Sequence, residues 1–451
     1  MRGGINRGIK RRRLPTEGCR VVDRGEAMSL PPTTMNREQA RKCLGQALTK
    51  PAYRSDLWSQ LSREDWGELI HLAQREGVAP ALYYTQESAG WPLGLPLHLR
   101  EELRADCLKA AGSNLLIYRE LSRILSTLQQ ELPHVSLVLL KGAALANTVY
   151  SSIALRPMTD VDLLLRREHL ESAVEALRPI GYRDAAPEMT PGLSRKTHFQ
   201  VALRGGPRGY VITELHWSLV GGEGDWRSPD LDWFWAETEP WHMLDEPGKL
   251  GAPLSALQLR PTAHLLYLAA HLMLQHGGAK ARLLWEYDIH LLLTECERRL
   301  DWEELRHRAR ELRWAPALRA ALARSHENFG TPLPEGFLRD LEGDEDDRSR
   351  SLVQSKNHPV QTRAIATWSY LRTLNWRTRL QRARSALWPT AAYVRWRYRP
   401  RPNWLWPLCY PYRWSCFAGD SAVTLARLTW RRLVRVASLN DTSRTPNGVR
   451  G

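Results

Sequence analysis

Leu140-Lys141-Gly142-Ala143-Ala144 and, after a spacer, Arg156-Pro157-Met158-Thr159-Asp160-Val161-Asp162-Leu163-Leu164-Leu165 carry the reading of this chain. The apolar run at 135–140 predicts a buried strand ending on Lys-Gly. A short helix at 143–150 follows, then a second strand at 159–165 with two aspartates one residue apart. Successive side chains on a strand point to opposite faces, so Asp160 and Asp162 share one face while Val161 and Leu163 turn into the core. A helix at 168–177, closed by Pro179 and Gly181, comes next. Strands at 199–203 and 210–217 then flank the glycine-rich turn 204–209. Together these elements predict an α+β unit with a small mixed sheet of four or five strands.

Two carboxylates on adjacent same-face positions repel each other unless a cation sits between them. Hard oxygen ligands suit Mg2+ or Mn2+, which also take phosphate oxygens. Two such ions would activate a hydroxyl and stabilise a leaving pyrophosphate. Glu214 and His216 share a face by the same parity, so Glu214 becomes a third carboxylate if its strand lies beside that of Asp160. His216 would then orient a ligand or move a proton. Gly142 lets backbone approach a phosphate, and a helix starting near Ala143 would aim its first amides at the same anion. Lys141 and Arg156 would bring positive charge to a nucleoside triphosphate. Each part alone has a plainer reading: a solvated strand end, a simple turn, a satisfied core histidine. The ordered combination points to a metal–nucleotide site. Leu163-Leu164-Leu165 after the D-x-D excludes a calcium loop, and no Walker or dinucleotide glycine motif occurs.

Around this core at 131–256, apolar spacing of three and four predicts helices over 36–130 and again over 257–340. In the second set, His264 and His271 share a face, His276 follows, and Asp288 lies on the next helix. They either roof a substrate pocket or hydrogen-bond to Asp288 and fix two helices together. The acidic run 342–347 reads as an exposed linker within 341–362. Residues 1–35 read as a disordered basic arm, with Met1, Met28 and Met35 as alternative starts, and 440–451 as a disordered tail.

The chain has 451 residues, 43% of them apolar, enough for a substantial core. No stretch reaches the roughly 20 apolar residues of a membrane span. Six scattered cysteines without a C-x-x-C pair argue against a zinc site or disulfide framework and fit a reducing cytoplasm. The net charge of +15 sits mainly in a Trp/Arg-rich region, 363–439, and no Asp or Glu occurs between Asp347 and Asp420. That region either buries its tryptophans in the domain, rests on an anionic membrane surface, or contacts nucleic acid through phosphates and stacking. No specific nucleic acid is expected. The location expected is cytoplasmic, peripheral at the inner membrane surface.

The runs Leu139-Leu140-Lys141-Gly142, Arg156-Pro157-Met158-Thr159-Asp160-Val161-Asp162-Leu163-Leu164 and Glu214-Leu215-His216-Trp217 resemble the uncharacterised bacterial nucleotidyltransferase family, a branch of the polymerase-β-like superfamily. His264, His271, His276 and Trp285-Glu286-Tyr287-Asp288-Ile289 are similar to that family's helical half. Leu387-Trp388-Pro389-Thr390, with Tyr393, Arg395, Trp396, Arg397 and Tyr398, resembles its C-terminal end. The resemblance implies a nucleotidyltransferase fold, with Asp160 and Asp162 as metal ligands and Glu214 as the third carboxylate. Members often stand beside genes for polysaccharide or modified-peptide biosynthesis, including lasso-type peptides, which implies a tailoring or regulatory role. The wider superfamily carries Gly-Ser or Gly-Gly where this chain has Gly142-Ala143, and a shorter interval before the first aspartate.

The leading expectation is transfer of a nucleoside monophosphate from a triphosphate to a hydroxyl of a peptide, sugar, small molecule or protein. A degenerate member that only binds or regulates is the alternative. A D-x-D glycosyltransferase fits less well, because only one clear strand precedes the motif.

Overall fold

The computed structural model describes residues 35–49, 61–92, 94–193, 195, 198–221, 231–242, 256–278, 281–345, 350, 353 and 375–442. The basic arm through residue 34, most of the linker beyond 345 and the tail beyond 442 lie outside the described residues.

Helix α1 (Arg37–Thr49) opens on Asn36, whose side chain accepts from the Gln39 amide while Gln39 accepts from the Asn36 amide. Helix α2 (Arg63–Glu76) opens on Ser62 with a capping box to Asp65 and stops at Gly77, which has φ 80°. Helices α3 (Ala79–Ala89) and α4 (Leu97–Glu131) complete the N-terminal set.

Among the described residues seven strands form one mixed sheet, where the sequence had shown four or five. They are β1 (Val138–Leu140), β2 (Asp160–Leu164), β3 (Arg183–Asp184), β4 (Gln200–Gly205), β5 (Val211–His216), β6 (Thr238–Trp241) and β7 (Ala256–Leu259), in the order β3-β4-β5-β2-β1-β7-β6. The strands not foreseen are short: β3 has two residues, β6 contains Pro240, and β7 has four residues before a proline-started helix. β1 runs antiparallel to β2, whereas β2 and β5 run parallel with Asp162 level with Glu214. The intervening elements are α5 (Lys141–Leu145), α6 (Leu170–Leu177) and α7 (Asp232–Ala236).

Strand parity divides the interior. Leu139, Val161, Leu163 and Leu215 point to the face covered by α4 and α6. Val138, Leu140 and Leu164 point the other way, into a core shared by the N-terminal helices and those that follow the sheet. Asp162 is level with Leu140, so it faces this helical side. Each of these leucines contributes about 1.5–3 kcal/mol by leaving water, which fixes the sheet's orientation and hence the direction in which the acids point.

After β7 come α8 (Pro261–Ala270), a π-helical turn (His271–His276), α9 (Leu283–Glu295), α10 (Trp302–Glu311), α11 (Ala315–Phe329) and α12 (Phe337–Gly343). The first helix of the set expected over 257–340 therefore loses its α register at His271, a change often found where side chains must be re-aimed. Glu286, fully buried, accepts from Arg41, Arg324 and Asn328, tying α1, α9 and α11 together. The acidic run is not simply solvated: the Glu345 carboxylate is buried between Arg319 and Arg350. Helices α13 (Trp376–Leu387), α14 (Ala391–Tyr398) and α15 (Cys409–Thr442) form the C-terminal region, with a 3-10 segment (Asn403–Leu408) before the last. Cys43, Cys107, Cys296, Cys409 and Cys416 are free thiols.

Candidate active site

A cavity of about 330 Å³ opens where the edges of β2 and β5 meet the helices. Lys141, Gly142, Arg156, Asp160, Asp162 and Glu214 line its floor, and His271, His276, Leu284 and Trp285 line its roof. Six of the seven residues singled out from the sequence thus border one space. The seventh, His216, lies fully buried behind Asp162.

The parallel pairing of β2 and β5 brings the acids together. Asp162 Oδ1 accepts from Lys141 Nζ at 2.7 Å and meets His216 Nε2 at 2.8 Å. The same His216 nitrogen lies 3.6 Å from a Glu214 oxygen. Asp162, Glu214 and His216 each offer one ligand atom, and these atoms all lie within 4.8 Å of one another. Nδ1 of His216 is buried with no hydrogen-bond partner among the described residues.

Burial alone would raise the Asp162 pKa, but the Lys141 ammonium and the His216 hydrogen bond outweigh it and hold the carboxyl well below the usual range. Lys141 shows the reverse balance. Burial disfavours its charge, yet Asp162, with Glu214 behind it, keeps its pKa above the ordinary lysine value. Half-buried Asp160 has no cation bonded to it among the described residues. Burial first, then repulsion from Asp162 and Glu214, pushes it up to about 6. A cluster with one carboxylate held ionised and its neighbour driven toward neutrality is short of positive charge, which is the condition a divalent ion relieves.

Lys141 holds φ 45°, a left-handed value uncommon for a side-chain-bearing residue. The bond to Asp162 accompanies this conformation. The helix that begins there has only five residues, so its dipole adds little to anion binding and the helix-terminus part of the sequence reading loses weight.

Arg156 makes a two-point ion pair with Asp288, from Nε at 2.9 Å and Nη2 at 2.7 Å, and Tyr150 donates to the same carboxylate at 2.7 Å. Asp288 therefore holds Arg156 and Tyr150, not the histidines, and it clamps the loop before β2 to α9. A Cβ on residue 142 would stand 2.2 Å from Arg156 Nη1, so glycine at this position makes room for the guanidinium. His271 and His276 are in edge contact with ring centroids 4.6 Å apart, and His276 lies 4.3 Å from Trp285. His264 is buried with Nε2 unpartnered among the described residues. Its pKa is lowered to about 3, by burial and then by Arg156. Sequence reasoning did not assign Leu284, Phe199 or Gln200 to the cavity. Phe199 and Gln200 sit at the start of β4, beside the acid-bearing strand β5, and strand order was the missing signal.

A mixed sheet with a Lys-Gly turn, a D-x-D strand and a parallel acidic strand beside it defines a nucleotidyltransferase-like centre. Residues 62–330 match the family described as uncharacterised nucleotidyltransferase, more than half of the chain, and the chain belongs to that family. No match was found among curated proteins. The family match ends at α11, so α12 to α15 lie beyond it.

Proposed function

We propose that this protein transfers a nucleoside monophosphate from a triphosphate to a hydroxyl acceptor, with Asp162, Glu214 and His216 holding a divalent ion, Mg2+ or Mn2+, and Asp160 completing the acidic wall. The observation that carries the reading is the parallel register of β2 and β5, which sets Asp162 level with Glu214 at the floor of a cavity that also contains Lys141. The donor set fits such an ion: two carboxylates and an imidazole within one ion's reach, with a further carboxylate two residues away on the same strand face. When bound, the ion would neutralise phosphate charge and make the acceptor hydroxyl more acidic.

The chain's own groups supply the rest. Lys141 lies close enough to the acids to neutralise developing charge on the triphosphate. Arg156, its charge balanced by Asp288, is held in place as part of the cavity wall. The acceptor oxygen forms its bond to the α-phosphorus while the bond to the bridging oxygen breaks and pyrophosphate leaves. The hydroxyl proton passes to Asp160, the carboxylate of the cavity wall that the proposed ion leaves free. Trp285 and His276 offer a flat wall to the base or the acceptor. Acceptors in polysaccharide or modified-peptide biosynthesis follow from the family resemblance.

The test is incubation with each of four nucleoside triphosphates, Mg2+ and candidate acceptors, read by mass spectrometry. A nucleoside-monophosphate increment that Asp162→Asn abolishes supports transfer. Triphosphate binding by calorimetry with no transfer to any acceptor would favour a binding or regulatory protein, a reading to which the missing serine hydroxyl at Ala143 lends weight.

A further inference from the structure

We propose that the C-terminal helices dock on an anionic lipid bilayer, lying on its surface. More than half of the large apolar side chains exposed among the described residues fall between Trp376 and Val423. Their arrangement reverses the usual helix pattern. In α13 the inward face carries Arg382 and Ser385, whereas Trp376, Leu380 and Leu387 lie along the outward face. Leu408, the last residue of the 3-10 segment, and Tyr412, Cys416 and Val423 of α15 follow one another at helical spacing, all exposed. Trp404, 73% exposed, stands between them in the chain. Monomeric proteins rarely leave such a concentration of apolar surface without a partner.

The charges around this surface select the partner. Arg377, Arg384, Arg395, Arg399 and Arg401 are exposed in the same segment, and the sequence holds no Asp or Glu from 348 to 419. A like-on-like contact with a second copy would set these arginines against arginines, with Asp420 the one acid between 348 and 423 to pair them. Stacking of single-stranded nucleic acid needs open ring faces. Here Trp388 meets Trp414 and Tyr398 meets Tyr412 in edge contacts, and four of the segment's ten exposed large apolar side chains, Leu380, Leu387, Leu408 and Val423, are aliphatic and offer a base no ring to stack on. Tryptophan with arginine and leucine suits the headgroup boundary, where rings and aliphatic carbon enter the acyl edge and guanidinium groups reach lipid phosphates. No helix among the described residues is long and apolar enough to cross a membrane, so the contact is peripheral.

The docked module is joined to the catalytic half. Thr390 donates from its amide to Met189 O at 2.9 Å and from its hydroxyl to Glu188 O at 2.8 Å, and Ser385 bonds Thr190. That strand-leading segment continues to Phe199 and Gln200 on the cavity wall. The inference does not rest on the transfer reaction.

The test is sedimentation of the full chain with vesicles of phosphatidylcholine alone or mixed with phosphatidylglycerol. The protein is expected to pellet with the anionic vesicles and stay in solution with the neutral ones, and high salt is expected to weaken the binding. Replacing Trp376, Leu380, Trp404 and Leu408 together by Ser is expected to lower vesicle affinity at least about tenfold, since each removes apolar area from the acyl boundary. An unchanged melting temperature will show that the variant is folded. Equal pelleting with both vesicle types overturns the proposal. So does self-association or oligonucleotide binding that the same substitutions abolish while vesicles bind neither protein.

Discussion

Gly142→Ala tests how the Lys-Gly turn is built. The added methyl would stand 2.2 Å from Arg156 Nη1, 3.0 Å from Cζ and 3.3 Å from Met158 Cγ. A free arginine would swing aside at little cost, but this one is held by two bonds to Asp288 in a site where both side chains are almost fully buried. Either the turn shifts, costing about 1–3 kcal/mol as overpacking, or the ion pair opens, costing about 3–5 kcal/mol. Alanine returns up to about 1 kcal/mol of helix propensity. The cheaper route governs, so about 2 kcal/mol of strain, offset by up to about 1 kcal/mol of propensity, leaves an expected net loss of about 1–2 kcal/mol, read by urea unfolding. Arg156→Met should remove the obstruction, and in that background Gly142→Ala should be neutral or stabilising. The coupling energy of this cycle would then be about 2 kcal/mol. An equal cost in both backgrounds, or no cost in the wild-type background, would refute the argument that Gly142 exists to admit the guanidinium.

Other outcomes follow from the same geometry. Glu286→Gln is expected to cost about 1–3 kcal/mol, because Arg324 loses its charge partner while Arg41 keeps only Glu76; urea unfolding measures it. Lys141→Met should destabilise the metal-free protein by about 2–3 kcal/mol, since Asp162 would keep only His216, and excess Mg2+ should recover part of that loss, visible as a melting-temperature rise. His264 and His290 fold with pKa values lowered to about 3 and about 4, each chiefly by burial, against 6.5 when exposed. The unfolded chain therefore binds protons first on acidification. Their stabilising contribution is full above pH 6.5 and is lost as pH falls toward 4 and then 3. His264→Met should flatten the stability–pH slope in that window by up to about 1.4 kcal/mol per pH unit, read by unfolding at a series of pH values.

The face-sharing of Asp160 with Asp162 and of Glu214 with His216 was legible because strand parity needs only residue spacing. The helical flanks were legible for the same reason. What the sequence hid depends on partners far apart in the chain. Arg156 and Asp288 are separated by 132 residues, and nothing local says that the arginine is committed to a carboxylate. Gly142 read as a phosphate approach, and it lines the cavity, but its packing against the Arg156 guanidinium was not foreseen. His216 read as a ligand-orienting neighbour, and its bond to Asp162 at 2.8 Å needed the register of β2 and β5. β6 and β7 escaped notice because four residues, one of them proline in β6, carry too little alternation to distinguish from loop. The departure into a π turn at His271 carries no pattern that a helical period would reveal.

The proposed transfer depends on the capacity of Asp162, Glu214 and His216 to hold a divalent ion. Calorimetric titration of the nucleotide-free protein with Mn2+ tests it most directly, beside Asp162→Asn and Glu214→Gln. Saturable binding that either substitution weakens at least about tenfold, the loss of one charged ligand, is the expected result. Binding that neither change alters, or no binding to the folded wild-type protein, would contradict it.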